Sequence, residues 1–524
     1  MKKIFTLFSA MLMSIASFAT TYNGTLTVTV NGEVSEQPTS VSIDEVNGNY
    51  KLSINNFMLV AGETILPVGN IVIDHVPGAV NGGLTTLCTN QEIQIPAGNV
   101  EGIAEDEWLG PALGTVPVEM NARFTGEGYV VTDIHINMVE LGQVIDVKFE
   151  NVGNHFQMPN SDFETWSDKN KAPKHWHGFE SVKATGIFST AKSDKKLVYS
   201  NNVRPGSKGL TSAVVTCSKV FGVIANGTMT NGRLAAGSTD AKNTANHSET
   251  NLSSTDVDAN GDPFATPMYA KPDSVKFWMR FTQAKAQASY PYAAFNAVIT
   301  DGTYYQDPED KTYTNKVAVA APNKADMTVG DWRLVACPFD YASHAANGAE
   351  AKAILLTVST NATPGKGSYS NGVADSVYVD DLELVYLADI KSVSFKGATL
   401  DLANTDIDIA DDDVISASDF VVEKIGEDAK VTTLVEANAK GYQAVISVVS
   451  GDLNTQKTLV FNFNKPVWAD GDVNHDGVVD LADVTLLINK VLGADATQLY
   501  NPDVNADGNV DVADVTTLVS LILG

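Results

Sequence analysis

Cysteine is scarce in this chain. Its 524 residues include three cysteines, Cys88, Cys217 and Cys337, and no two of them form a Cys-x-x-Cys motif. A small disulfide-stapled domain and a zinc ribbon both need closely spaced cysteines. The sequence therefore argues against both classes. It also has no GxSxG or HExxH motif, so nothing indicates a serine hydrolase or a zinc protease.

Positive charge is also in short supply. Lys and Arg number 35 against 63 Asp and Glu, which gives a net charge of −28. An acidic surface repels the phosphate backbone of nucleic acids and the anionic face of a membrane. We therefore expect no nucleic-acid partner and no binding to membrane surfaces.

Long hydrophobic runs are limited to the amino terminus. Lys2 and Lys3 precede an apolar stretch at 4–18, and Ser17-Phe18-Ala19 supplies the small residues of a cleavage site. The stretch is shorter than the roughly 20 apolar residues that span a bilayer. We predict a signal peptide at 1–19, a mature chain that starts at Thr20, and a secreted or cell-surface-associated protein without membrane insertion. No cysteine follows for lipid attachment.

Apolar residues alternate with polar ones through residues 20–153. Leu26, Val28 and Val30 alternate with threonines, and Asn31-Gly32 then marks a turn. This period of two predicts antiparallel strands in a barrel or sandwich. The runs YNGTLTVTVNG at the start, PVGNIVIDHV at 67–76 and MVELGQVIDVKFENV at 138–152 resemble the calycin-like β-barrel domain of secreted Bacteroidetes proteins. Such a barrel implies either an enclosed small apolar ligand or an interior filled by side chains.

Residues 154–386 have longer loops and more aromatic residues. The segment opens with PNSDFETW at 159–166 and PKHWHGFE at 173–180, and it closes with DWRLVACPFDY at 331–341 and DSVYVDDLELVY at 375–386. This order resembles a carbohydrate metabolism domain of Bacteroidetes surface and secreted proteins, which is a jelly-roll-like β-sandwich. The likeness to carbohydrate-binding jelly rolls also implies that the first and last strands lie side by side.

A strand around 275–281 carries a candidate sugar platform. Trp278 shares its polar face with Lys276 and Arg280, and aromatic rings stack on the C–H faces of sugars while Arg donates to hydroxyls. We predict carbohydrate binding by Trp278 and Arg280, with Trp176 contributing near a loop. The alternative is that Trp278 is covered by a loop or a neighbouring domain.

Two further features of this segment suggest metal sites. His175 and His177 could chelate, but two ligands do not make a site, and no third ligand follows at a zinc spacing. Glu164 and Asp381 could meet if the terminal strands adjoin. We predict a structural calcium ion there, and the alternative is a glycosidase carboxylate pair. We assign no catalytic residue.

Residues 387–466 show further period-two runs, such as Tyr442, Ala444, Ile446 and Val448. About eighty residues of this kind suit a small immunoglobulin-like β domain. We predict that it is a spacer.

The last 58 residues contain a repeat with its own chemistry. DVNHDGVVDLAD begins at Asp472 and DVNADGNVDVAD begins at Asp503. Each places oxygen side chains at positions 1, 3, 5, 9 and 12 and Gly at position 6, which is the pattern of an EF-hand calcium loop. The predicted ligands of two calcium ions, with a backbone carbonyl at position 7, are Asp472, Asn474, Asp476, Val478, Asp480 and Asp483, then Asp503, Asn505, Asp507, Asn509, Asp511 and Asp514.

Each loop runs into a helix with an apolar stripe, Val484 to Leu492 and Val515 to Leu523. A calcium loop with one exiting helix, duplicated, resembles the type I dockerin domain. The resemblance implies a cohesin-like partner module bound through positions 10 and 11, which here are Leu481-Ala482 and Val512-Ala513. The near identity of the two halves implies two binding orientations related by a half-turn.

These features predict a mainly β, multidomain chain. Its parts are a signal peptide at 1–19, a β-barrel at 20–153, a jelly-roll-like sandwich at 154–386, a small immunoglobulin-like domain at 387–466 and an all-α calcium-binding dockerin at 467–524. Three functions compete. The first is a non-catalytic carbohydrate-associated protein that is docked to a polysaccharide-processing assembly and binds polysaccharide or oligosaccharide. The second is a hydrolase of O-glycosyl bonds, and the third is a structural or adhesive surface protein.

Overall fold

The computed structural model describes residues 20–61, 64–139, 142–167, 172–184, 196–220, 222–494 and 499–524. The predicted signal peptide at 1–19 lies outside the described residues. The chain divides into two compact units. One comprises 1–392 with 422–433 and 446–458, and the other comprises 393–421, 434–445 and 459–524.

The first eight strands are β1 Thr20–Val30, β2 Glu33–Val46, β3 Asn49–Ala61, β4 Thr64–Asn81, β5 Leu84–Gln94, β6 Thr115–Thr125, β7 Val130–Met138 and β8 Gln143–Glu150, with a short helix α1 at Gly110–Leu113 before β6. They close into a barrel in sequence order. Strand β1 pairs with β2 on one side and with β8 on the other, from Thr25 opposite Glu150 to Val30 opposite Ile145. The predicted barrel is confirmed.

Side chains fill the barrel interior. The alternation predicted in β1 holds, because Leu26 and Val28 are buried while Thr27 and Thr29 are half-buried. Leu26 packs in one apolar core with large side chains from other strands, including Met120 and Phe149. This packing favours the filled barrel over the barrel that encloses a ligand.

The central strands are β9 Lys183–Ala184, β10 Leu197–Ser200, β11 Ser212–Thr216, β12 Ser218–Val220, β13 Val223–Ala225, β14 Thr228–Thr230, β15 Arg233–Ala236, β16 His247–Thr250, β17 Thr266–Pro267, β18 Ser274–Thr282, β19 Ala294–Thr300, β20 Tyr305–Asp307, β21 Lys316–Ala320, β22 Gly330–Pro338, β23 Ala353–Ser359, β24 Tyr369–Ser370, β25 Val373–Ala374 and β26 Ser376–Val385. Their main sheets are β10-β11-β26-β18-β22, β14-β23-β19-β21 with β17 beside β23, and β20-β16-β15-β9.

The first two of these sheets enclose the core of the sandwich. Strand β18 buries every second residue, and Phe277 stacks on Phe295 of β19 with ring centroids 4.2 Å apart. The opening segment lies against the last strand, since the amide of Leu382 donates to Ser161 O at 2.9 Å. The start of this segment therefore lies against its last strand, β26, which in the sheet pairs with β11 and β18.

The remaining strands are β27 Asp389–Phe395, β28 Ala398–Thr399, β29 Asp406–Asp408, β30 Phe420–Ile425, β31 Lys430–Asn438, β32 Gly441–Val449 and β33 Gln456–Asn464. They form the sheets β28-β27-β30 and β29-β33-β32-β31. The helices α2 Leu481–Val491 and α3 Val512–Leu523 follow. The predicted spacer at 387–466 does not coincide with either compact unit.

A buried arginine joins the barrel to a later loop of the same unit. Arg123 in β6 is 1% exposed. Its guanidinium donates to Leu453 O and Asn454 O and pairs with Asp133. Because a buried charge is costly unless it is paired and hydrogen-bonded, these contacts hold the loop against the barrel.

Candidate functional site

The sandwich buries one of its two candidate tryptophans. Trp176 is 1% exposed, and its ring packs against Phe163 with centroids 5.2 Å apart. Its indole N–H donates to Asn160 O at 3.2 Å. A buried ring offers no face to a sugar, so the prediction that Trp176 contributes to carbohydrate binding is wrong.

Trp278 lies on the outer face of the five-stranded sheet. It is half-buried, as are Lys276 and Arg280, while the intervening residues of β18 are fully buried. In the sheet it stands between Leu334, which is 51% exposed, and Asp380. The predicted shared face of Trp278 and Arg280 is therefore present.

Further aromatic and basic residues surround Trp278. The Arg204 guanidinium lies 5.3 Å from its ring centroid, and that of Arg280 lies 5.5 Å from the ring of Tyr378. Tyr378 meets Trp332 edge-on at 6.2 Å. We call Trp278, Arg204, Arg280, Tyr378 and Trp332 the outer-sheet patch. Sequence reasoning missed Arg204, Tyr378 and Trp332, which reach the patch from other strands and a loop.

The carboxylates of the predicted calcium corner already have protein partners. Glu164 Oε1 accepts from the amides of Leu210 and Thr211, both at 2.9 Å. Asp381 pairs with the Arg204 guanidinium. A guanidinium beside Asp381 supplies the positive charge that the ion would have supplied. These contacts speak against both a calcium ion and a glycosidase pair at Glu164 and Asp381.

The two histidines stand beside carboxylates. His177 Nδ1 lies 3.7 Å from Asp258 Oδ2, and His175 Nδ1 lies 3.6 Å from Asp262 Oδ1. Burial lowers the pKa of His177. Within the ranges that the structure describes, no three His, Cys, Asp or Glu side chains form a group that could hold a metal ion.

The two repeated loops fold alike at their first position. Asp472 accepts from the amides of Asp476 at 3.2 Å and Gly477 at 3.0 Å. In the second loop, Asp503 accepts from the amides at the same positions, at 3.1 and 2.8 Å. Gly477 and Gly508 have φ of 90° and 89°, a region that disfavours side chains. The repeat seen in sequence is therefore a repeat in backbone geometry.

The carboxylate at position 12 closes each loop. Asp483 and Asp514 are both 0% exposed. Asp483 accepts from the amides of Asn474 at 3.1 Å and Asp480 at 2.9 Å, and Asp514 has the matching bonds in the second loop. Backbone donors, led by the amide of Asp511, lower the pKa of Asp514. This shift favours the ionised form of Asp514, which is the form that binds a cation.

The donor set of each loop fits calcium. Every predicted side-chain ligand is a carboxylate or an amide oxygen, which is the chemistry that a hard cation prefers. The residue at position 9 also caps the exiting helix, because Asp480 accepts from Ala482 N and Asp511 from Ala513 N, both at 2.7 Å. Loop and helix start are therefore one structural unit in each repeat.

The helices pack through only part of their predicted stripes. Val484 and Leu487 of α2 and Leu518 of α3 are buried. The last residues of the two stripes are exposed, Leu492 at 76% and Leu523 at 80%. Each helix is short, so only its first two turns meet the partner helix and the loops.

Three aromatic rings stack beside the first loop. The ring of His475 lies between Trp468 and Tyr500, with centroids 4.4 Å and 3.9 Å away and planes 17° and 11° apart. The matching residue of the second loop is Ala506. The stack makes the two repeats unequal. Sequence reasoning missed it because no local pattern brings Tyr500 to His475, which lies 25 residues earlier.

Residues 470–523, which contain both loops and both helices, match the dockerin type I domain. The chain carries a type I dockerin domain. Dockerin domains of this type bind calcium, occur in extracellular proteins and dock into cohesin-bearing assemblies. In this dockerin the residues at positions 10 and 11 are exposed in both loops, with Leu481 at 74% and Val512 at 66% beside Ala482 and Ala513.

The other comparisons concern the rest of the chain. Residues 18–152 match the calycin-like beta-barrel domain, which agrees with the closed barrel. No curated protein matches the chain. A match to the solved structure of the infectious bursal disease virus Gx strain is 12% identical, covers 70% of this chain and 75% of the viral one, and has a TM-score of 0.10. None of the described helices is long and apolar enough to cross a membrane.

Proposed function

We propose that the chain is a secreted, non-catalytic, glycan-binding component, which its dockerin attaches to a larger polysaccharide-processing assembly. The observation that supports glycan binding is Trp278, which is half-buried on an outer sheet face that it shares with Arg280, with the Arg204 guanidinium 5.3 Å from its ring centroid. Export would follow from the signal peptide predicted at 1–19.

The chemistry of the outer-sheet patch suits a polysaccharide chain. An indole packs on the C–H face of a pyranose ring, and arginine donors reach ring hydroxyls. Trp332 and Tyr378 extend the aromatic surface along the sheet. A flat patch of this kind would hold several sugar units of a chain weakly rather than enclose one.

The dockerin would provide the attachment. Leu481-Ala482 and Val512-Ala513 are exposed at equivalent places of two similar repeats, so either pair could face a cohesin. Two calcium ions, one in each loop, would fix both pairs at the start of their helices. The domain type implies a cohesin partner, but its specificity is not carried over, because these pairs differ from the hydroxyl-bearing pair common in cellulosomal dockerins.

The enzymatic alternative would need two facing carboxylates in an open cleft. At the corner where the sequence predicted them, Glu164 accepts backbone amides and Asp381 pairs with Arg204. The non-catalytic function is therefore the better supported one.

Affinity electrophoresis of the full chain through gels that contain soluble polysaccharides tests the proposal. We expect at least one polysaccharide to retard the wild-type chain, and Trp278→Ala to remove most of the retardation. Tyr199→Ala is the matched control, because Tyr199 is a 44% exposed aromatic residue outside the patch. Equal retardation of both variants, or none of the wild type, would contradict the proposal.

A further inference from the structure

A cavity of about 460 Å³ lies in the central sandwich. Residues of β14, β15, β16, β19, β20 and β23 line it, and none of them belongs to the outer-sheet patch. Small-molecule sites have volumes of roughly 300–1,000 Å³ and combine apolar walls with a few polar groups. The cavity is therefore large enough for a ligand that the patch does not bind.

Three polar atoms on residues that line this cavity lack a partner. Asn226 Oδ1, Ser248 Oγ and Thr357 Oγ1 are buried and have no hydrogen bond within the described part of the chain. Ser248 is 2% exposed. Buried polar groups are nearly always satisfied, because leaving one unpaired is costly. These three groups lie on residues that line one cavity, so a ligand bound there would supply the partners that they lack.

The polar groups call for a ligand that both donates and accepts hydrogen bonds. Asn226 Oδ1 can only accept, whereas the hydroxyls of Ser248 and Thr357 can do both. Asp307 adds a carboxylate, of which one oxygen accepts from Asn296 Nδ2 at 3.0 Å. Ligand hydroxyl groups match this mixture.

Apolar side chains form much of the remaining wall. Leu234, Ile224 and Phe295 line the cavity together with several alanines. Phe295 is fixed in place by its stacking on Phe277. Aliphatic and aromatic walls suit the C–H groups of a ring that carries hydroxyls at its edge.

Charged ligands fit the cavity less well. An anion would meet Asp307, and Lys242, the lining lysine, is exposed. A metal cation would need several ligands, and the described residues contain no group of three His, Cys, Asp or Glu that could hold one.

We propose that the cavity is a second carbohydrate site, which binds a neutral sugar of one or two rings through Asn226, Ser248 and Thr357. This inference rests on the proposed glycan-binding function. It assigns recognition of single sugar units to the cavity and recognition of the extended chain to the outer-sheet patch.

The variant Ser248→Ala with Thr357→Val tests the site. Neither hydroxyl bonds to any of the described residues, so the double variant should fold and keep or slightly raise the unfolding temperature. Thr216→Val is the matched control. Thr216 is a half-buried residue of β11, which lies in the sheet β10-β11-β26-β18-β22 and does not line the cavity. Ligand-observed saturation-transfer NMR of each full chain, with glucose, galactose, mannose, N-acetylglucosamine and cellobiose as probes, reports binding.

We expect saturation transfer to at least one of these sugars, an affinity about tenfold lower in the double variant, and no change in Thr216→Val. Transfer to none of the sugars, or equal affinity in the double variant and the control, would overturn the proposal. Trp278→Ala separates the two sites, since it should lose gel retardation but keep the transfer. If polysaccharide gels retard the wild-type chain but no sugar shows saturation transfer, the cavity site alone is refuted. If a sugar shows saturation transfer but no gel retards the chain, the outer-sheet patch alone is refuted.

Discussion

His475 lies flat on Tyr500, with ring centroids 3.9 Å apart and planes 11° apart. His475 belongs to the first calcium loop, and Tyr500 lies just before the second loop. The stack therefore ties the first loop to the start of the second repeat. Ala506 occupies the matching position in the second loop, so only the first loop is fixed in this way.

We predict that His475→Ala weakens calcium binding by the first loop but not by the second. The substitution gives the first loop the alanine that the second already has, and it removes two aromatic contacts that are each worth about 0.5–1.5 kcal/mol. Calcium titration calorimetry of the full chain should then show one of two sites weakened by about tenfold. Ala506→Ser is the control, and an unchanged isotherm for His475→Ala would show that the stack does not support the loop.

A buried carboxyl in the sandwich should make stability depend on pH. Burial raises the pKa of Glu180 from 4.5 to about 7. Its Oε1 accepts from Gly178 N at 2.6 Å, while Oε2 is buried without a partner in the described residues. The folded state therefore binds a proton more tightly than the unfolded state. The stabilisation is full below about pH 4.5 and is lost as the pH rises towards 7.

Glu180→Gln should remove that loss. The amide keeps an acceptor for Gly178 and cannot ionise, so the variant should gain about 2–3 kcal/mol over wild type at pH 8 and little at pH 4. Urea unfolding at both pH values measures this. Glu249→Gln should instead lower the stability relative to wild type at pH 8. The hydrogen bond from His247, and after it the contacts with Lys183 and Tyr304, lower the pKa of Glu249 to about 2. A Glu180→Gln variant with no gain at pH 8 would contradict the account.

If both exposed pairs dock as proposed, single and double substitutions should have non-additive effects on cohesin binding. Leu481→Lys or Val512→Lys alone should leave binding of a cognate cohesin module within a few-fold of wild type, because the other half can still dock. The double variant should lose binding. Calorimetry with the cohesin module measures the effect, with Thr485→Lys, an exposed position of α2 outside both pairs, as the control. If either single variant abolished binding, one orientation alone would be in use.

The buried arginine of the barrel should matter for stability. Arg123→Met leaves the carbonyls of Leu453 and Asn454 without their donor, and each buried acceptor left unpaired costs about 1–3 kcal/mol. Asp133, whose side chain is 48% exposed, regains water and adds little to the loss. Denaturant unfolding should show this loss, whereas Arg233→Met, which breaks a bond to the exposed Asp256, should cost less than half as much. Similar losses in both variants would contradict the stabilising role of Arg123.

The sequence predicted best what depends on local pattern. Alternation in β18 correctly placed Trp278 on an outer face, and loop spacing alone identified the two calcium loops. Trp176 was misjudged because it lies in an irregular segment, where no period tells which side is buried. Arg204 contacts Trp278 although the two residues are far apart in sequence. Ser248 and Thr357, which are also far apart in sequence, line the same cavity. No local pattern could predict those contacts.

We expect calcium binding to fold the docking module, and hydrogen–deuterium exchange of the full chain tests this coupling. Without calcium, the four carboxylates of each loop repel one another, and the core around Leu487 and Leu518 is too small to compensate. We predict that peptides of α2 and α3 are protected in calcium and exchange freely in EDTA, while β18 peptides are unchanged. Asp472→Ala with Asp503→Ala should exchange like the EDTA sample even in calcium. Full protection of both helices in a chain shown by mass spectrometry to be metal-free would contradict this coupling.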